Sequence, residues 1–243
     1  MTPNPSRAAW SLAGAIATCA AESPPSAIDL GRLRQGIALH HPDLREPDGL
    51  LGLDLGSPSH RVDAWCRGAD LVAVYDTDDG PRVRTTAMWR AAPAWLAGAA
   101  PRGAWCREAV VSAQTALLEA EPRIAVVADV AGGAVRQVAF LGAGLRAVAV
   151  SAARPHGCIV NWSDGRGLLF LVHPGDAADV GFEAAGGRVR IAARLFPAAV
   201  EKGVLVRSRV VAAVGSAPGP GEVPAWAEGI AAAFAASPPV LTT

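Results

Sequence analysis

The sequence predicts an all-β protein, a large antiparallel two-sheet sandwich with a short N-terminal and a short C-terminal helix, and three observations carry that prediction. Residues 61–90 alternate polar and apolar side chains with a period of two. Roughly ten to twelve strand-like runs follow one another, separated by tight-turn residues. The long amphipathic helices that parallel strands need for their crossovers are missing from the pattern. With 243 residues, 51% hydrophobic and 18% charged, the chain can bury a substantial core.

Arg7 opens an apolar stretch from Ala8 to Ala21, diluted by Trp10, Ser11, Gly14 and Thr18. The triplet Ile16-Ala17-Thr18 before Cys19 lacks the small final residue of a lipoprotein cleavage site, so the stretch reads as a short packed helix rather than a signal peptide. No run reaches the ~20 apolar residues of a membrane span. Pro24-Pro25-Ser26 closes this leading segment, residues 1–26, and the sandwich occupies 27–215. Between 27 and 60, Leu30, Leu33, Ile37 and Leu39 suggest a strand or two among long connections.

The run Arg61-Val62-Asp63-Ala64-Trp65-Cys66-Arg67 places Val62, Ala64 and Cys66 on one face. Gly68-Ala69 suits a type II′ hairpin, which pairs Arg67 with Asp70 and Arg61 with Asp76. A third strand, aligned by pairing Asp76 with Arg82, adds Val83, Thr85, Ala87 and Trp89 to the core face. It adds Arg82, Arg84, Thr86, Met88 and Arg90 to the wet one.

Trp105–Leu118 and Arg123–Val130 read as a second hairpin across Glu119-Ala120-Glu121-Pro122. Ala134–Phe140 and Leu145–Ser151 are strands divided by Gly142 and Gly144. His156–Trp162 and Gly167–His173 flank an Asp164-Gly165 turn, a strong hairpin signal. Arg188–Leu195 and Val204–Val214 complete the strands. Residues 216–243 form a linker, Ser216-Ala217-Pro218-Gly219-Pro220-Gly221, and a short helix over Val223–Ala236 that starts at Pro224 and stops at Ser237-Pro238-Pro239.

Acidic and basic residues balance at 22 each, which argues against a general nucleic-acid binder. Lys202 is the only lysine, as an alanine-rich, GC-biased coding sequence would give. Cys19, Cys66, Cys106 and Cys158 lie far apart without a C-x-x-C pair and read as buried free thiols, favouring a reducing compartment such as the cytoplasm over export. His40-His41-Pro42-Asp43 could join Asp54 or His60, but the spacing fits no closed metal site, and neither metal nor cofactor is expected. No nucleophile elbow, zincin motif or P-loop is present, and the glycines at 132–133 and 142–144 punctuate strands.

Three features could carry chemistry. His173, before Pro174-Gly175-Asp176, sits where a sheet rim projects side chains; Glu201 and Lys202 form a turn with Gly203. These are candidate catalytic groups. Arg61, Arg82, Arg84 and Arg90 share the expected wet face with Trp65, offering a stacking plane and forked donors suited to a sugar ring bearing a carboxylate or sulfate. A salt-bridged, solvated face is the ordinary alternative for such a pattern.

The closing segments Leu195-Phe196-Pro197, Glu201-Lys202-Gly203 and Val204-Leu205-Val206-Arg207-Ser208-Arg209-Val210 resemble the end of galactose-mutarotase-like sandwich domains of carbohydrate-active proteins. The resemblance is one of strand pattern over about residues 60–215 and maps no catalytic residue. It implies a sandwich and, by analogy, a saccharide ligand. The expectation is therefore acidic-glycan binding through Arg61, Trp65, Arg82, Arg84 and Arg90. A sugar epimerase or polysaccharide lyase on the same fold, or a non-catalytic assembly domain, are the alternatives.

Overall fold

A computed structural model describes residues 10–19, 25–39, 48–78, 82–90, 93–96, 98–100, 104–141, 144–149, 154–176, 178–217 and 223–238. The His40–Asp43 cluster lies outside them. Two large antiparallel sheets face each other. The first has eight strands in spatial order: β1 (Ser11–Ala13), β2 (Ile16–Cys19), β3 (Ser26–Asp29), β4 (Ile37–Leu39), β5 (Asp48–Asp54), β11 (Ala125–Ala131), β17 (Arg188–Leu195) and β16 (Ala178–Ala185). The second has nine: β13 (Gly144–Ala147), β12 (Ala134–Leu141), β14 (Gly157–Asn161), β15 (Arg166–Val172), β19 (Val206–Ser216), β9 (Trp105–Thr115), β8 (Val83–Arg90), β7 (Asp70–Thr77) and β6 (Ser59–Arg67). A ribbon of β10 (Glu119–Ala120) and β18 (Val200–Glu201) links their margins.

Strands, not a helix, occupy the N-terminal stretch. Ser11 pairs with Thr18 and Ala13 with Ile16 in a tight hairpin. In β2, Ile16 is 43% exposed while Ala17 and Cys19 are fully buried, a period of two that favours a strand. An apolar run this short fits either period, and pairing with β3 decides it. The expected hairpin of Trp105–Leu118 with Arg123–Val130 is likewise absent. Both edges of β9 are taken by β8 and β19, so the chain crosses through β10 and β11 pairs with β5 and β17 in the opposite sheet.

The core lies between the sheets, around Trp89, Phe170, Leu53, Ile28 and Ile191. A second cluster covers the outer face of the nine-stranded sheet, where α1 (Ala225–Ala235) sets Ala227, Ile230, Ala231 and Phe234 on Ile159, Leu169, Leu171, Val211 and Ala213. Spacings of three and four residues put those four side chains on one helix face. The strands beneath α1 are therefore buried on both faces, and Leu168–Val172 is one unbroken apolar run. The meander β6–β8 lies beyond the helix. Its clean alternation is the sequence signature of a face on which, among the described residues, no helix is packed.

Within the meander, Gly68 has φ 61° and Arg67 pairs with Asp70, as a II′ turn requires. Two registers depart from expectation. Asp76 pairs with Arg84 rather than Arg82, a shift of two residues that keeps every side chain on its face. The other departure is a bulge between Arg61 and Asp63, which sets Arg61 opposite Tyr75 and His60 opposite Asp76. Val62 consequently lies 48% exposed. Cys66 is also exposed, because β6 is the outermost strand of its sheet; the other three cysteines are buried.

Candidate functional site

Cross-strand pairing builds the outer face of the meander in rows, with Val72 and Val110 buried and Trp65 exposed. Trp65, Val72, Met88 and Val110 stand in successive register, ending at Arg209. Trp65 is 41% exposed at the outer end of that row. The next row alternates in charge: Arg67, Asp70, Arg90, Glu108. It begins in solvent and runs under the C-terminal segment. Arg90 lies 3.8 Å from Asp70 and 3.1 Å from Glu108, whose side chain is fully buried.

At the other end of the face, Arg84 clamps Asp76 through two bonds of 2.8 and 2.7 Å. The Arg84 hydrogen bonds hold the Asp76 carboxyl below its ordinary range. Beside them, His60 Nδ1 meets Asp78 Oδ1. Arg82 follows with φ 44°, a left-handed conformation that L side chains avoid. It is held there by Thr115 Oγ1 donating to its carbonyl at 3.2 Å and by the Val83 N–H donating to Thr77 Oγ1 at 3.0 Å. His60, Asp76, Asp78, Arg82, Arg84 and Gln114 line a cleft of about 520 Å³. Among the described residues, Arg82 is the one guanidinium of this cleft without a carboxylate partner.

The five arginine and tryptophan positions expected to act together thus separate. Arg82 and Arg84 line this cleft; Trp65 lies roughly 17 Å from Arg84 and about 22 Å from Arg82 by strand spacing and rise. Arg90 belongs to the half-buried charge row. Arg61 is turned by the bulge to the inner side and lines a different cleft. The alternation does not place His60 in this cleft, because the bulge that aligns it with Asp76 leaves no mark in it.

No family model matches the chain, and no curated protein matches it. Among solved structures, a protein provisionally named as a kojibiose phosphorylase from human microbiome shares 6% identity over 60% of this chain and 18% of its own, with a TM-score of 0.34. Heparinase III shares 11% identity over 69% of this chain and 23% of its own, also with a TM-score of 0.34. The chain spans less than a quarter of either protein. Such scores establish neither a common activity nor a galactose-mutarotase-like assignment.

The catalytic candidates are not brought together. Glu201 is exposed in the β10–β18 ribbon opposite Glu119, and the backbone N–H of exposed Lys202 donates to Leu118. His173 is packed edge-on against Phe234 at 5.1 Å, with Nδ1 accepting from the Gly175 N–H. Burial, then Arg209, pushes its imidazole below the ordinary value of 6.5; burial and Arg154 do the same to His156.

A pH dependence follows. On acidification through 6.5 the unfolded chain takes up these two protons first, so it binds more protons than the folded state and stability is lost as the pH falls. Urea midpoints should drop between about pH 7 and 5.5, and the double variant His156→Gln/His173→Gln should show a smaller drop.

Proposed function

We propose that the protein binds an acidic oligosaccharide along the outer face of β6–β8, with one ring against Trp65 and an acidic substituent of another ring on Arg82. The observation that carries this is the cleft's charge pattern. Arg84–Asp76 and His60–Asp78 are paired and offer hydroxyl groups both donors and acceptors, while Arg82 keeps an uncompensated guanidinium in a strained backbone position. Backbone strain held by its surroundings in this way clusters at ligand-binding and active sites.

Calorimetric titration with oligogalacturonate and a chondroitin sulfate tetrasaccharide, against neutral maltotetraose, tests the proposal. Arg82→Gly should weaken binding of the acidic ligand by about 10- to 100-fold, the cost of one charge-assisted hydrogen bond. Its melting temperature should hold or rise, because glycine adopts φ 44° without strain. Trp65→Ala should cost about 10-fold. Absence of binding in the parent protein, or full affinity in both variants, refutes the proposal.

A second reading rests on His60. An imidazole oriented by a carboxylate inside a ligand-sized cleft can act as a general base, which suits elimination from a uronate. Release of unsaturated uronate would appear as ultraviolet absorbance abolished by His60→Gln. A flat trace across uronic-acid polymers removes it.

A further inference from the structure

We propose that a second cleft, between the two sheets at the end where β3–β5 face β6, binds a small phosphate monoester such as a sugar phosphate. Its volume is about 750 Å³, within the range of small organic ligand sites. Arg32, Arg34 and Arg61 line it against the single carboxylate of Asp54, leaving two positive charges uncompensated within the lining.

The cleft is built from backbone contacts. Leu33–Gln35 form one 3-10 turn that lies directly on β5. A Cβ on Gly52 would sit 2.6 Å from the Arg34 carbonyl oxygen, and one on Gly49 would sit 2.2 Å from that of Gln35. Only glycine permits this approach. Asp54 then accepts from Arg34 and, at 3.0 Å, from the Gly56 N–H, fixing the turn toward β6. Tyr75 crosses from the opposite sheet and donates to Leu30 O at 3.2 Å. Burial pushes the Tyr75 hydroxyl well above its ordinary range, so it stays a neutral donor.

The bulge in β6 supplies the last wall. Without it, Arg61 would point to the outer face; with it, Arg61 shares the side of Tyr75 and donates to Gly14 O at 3.2 Å. Bulges re-aim side chains next to functional sites. Arg34 is taken up by Asp54, and among the described residues the carboxylate near Arg32 is that of Asp29 at 3.8 Å, outside the lining. Arg61 and Arg32 therefore retain N–H donors for an incoming anion. A phosphate monoester carries about −1.5 to −2 at neutral pH and three terminal oxygens, matching two forked guanidiniums better than one planar carboxylate does. Ser57, Ser59 and Gln35 line the remaining volume and suit a polyol body.

Calorimetric titration of the full chain with glucose 6-phosphate is the test, with glucose, inorganic phosphate and succinate as the other arms. Glucose 6-phosphate should bind, glucose should not, and Arg32→Ala and Arg61→Ala should each weaken binding about 10-fold or more. Arg61→Gln, which removes the charge but keeps a polar side chain at the rim, serves if the alanine variant fails to fold. Trp65→Ala and Arg82→Gly should leave this binding unchanged, separating it from the saccharide proposed for the outer face. No binding of the ester, or binding indifferent to both arginines, overturns the proposal. Succinate or inorganic phosphate binding as tightly as the ester overturns the ligand class.

Discussion

Glu108→Ala should lower the unfolding free energy by about 3–5 kcal/mol, the penalty for leaving a buried partner charge uncompensated. Glu108 is fully buried; its Oε2 accepts from Arg90 at 3.1 Å and from Trp95 Nε1 at 3.3 Å, and its Oε1 lies 4.0 Å from Arg209. Burial pushes its carboxyl upward against the pull of Arg90, Trp95 and Arg209. Arg90 keeps Asp70 at 3.8 Å and some solvent, so Arg209, only 4% exposed and left with the attraction of Asp176, bears most of the loss.

Arg209 also holds the segment that follows α1. It donates to Ser237 Oγ at 2.7 Å and to the Pro238 carbonyl at 3.0 Å, and lies 5.4 Å from the Phe234 ring. The same variant should therefore loosen α1, read as faster amide exchange in 225–235. Urea unfolding supplies the free energy. In a Glu108→Leu/Arg209→Met pair, most of the loss should return, since an apolar replacement of both charges leaves none unpaired. Failure of the pair to recover would assign the loss to packing.

Trp89→Ala should cost about 3–5 kcal/mol for the cavity alone. The indole is fully buried, and its Nε1 donates across the sandwich to Leu51 O at 2.9 Å. Leu51 has φ 55° in a bulge of β5, where two residues oppose one of β11. Removing the donor strands a buried carbonyl on a strained residue, adding about 1–3 kcal/mol. Trp89→Phe keeps most of the ring and should show only that second part. Equal losses in both variants would mean that the hydrogen bond, not the volume, dominates.

Legibility followed exposure. Strands covered on one side only, such as β7, β8 and β17, alternate cleanly and were readable residue by residue. The helix at 225–235 was readable from Pro224 and the stop at Ser237-Pro238. The first hairpin was not, because its few apolar residues satisfy either period. Of the outer face, the exposed Trp65 and the placing of Arg84 and Asp76 on one side could be anticipated from the alternation; the Asp76–Arg84 register, His60 and the re-aimed Arg61 could not.

The residue pattern by itself determined the all-β class, the type II′ turn at Gly68, the face to which most meander side chains point and the C-terminal helix, because each depends on neighbours within a few positions. Tertiary structure alone decided which sheet each strand joins, where bulges fall, and which half of the nine-stranded sheet α1 covers. Those outcomes depend on edges being already occupied and on contacts between residues far apart in sequence, as with Trp89 and Leu51, or Arg209 and Ser237. The two clefts exist for that reason: one is what the helix leaves open, the other is what a bulge and two glycines shape between the sheets.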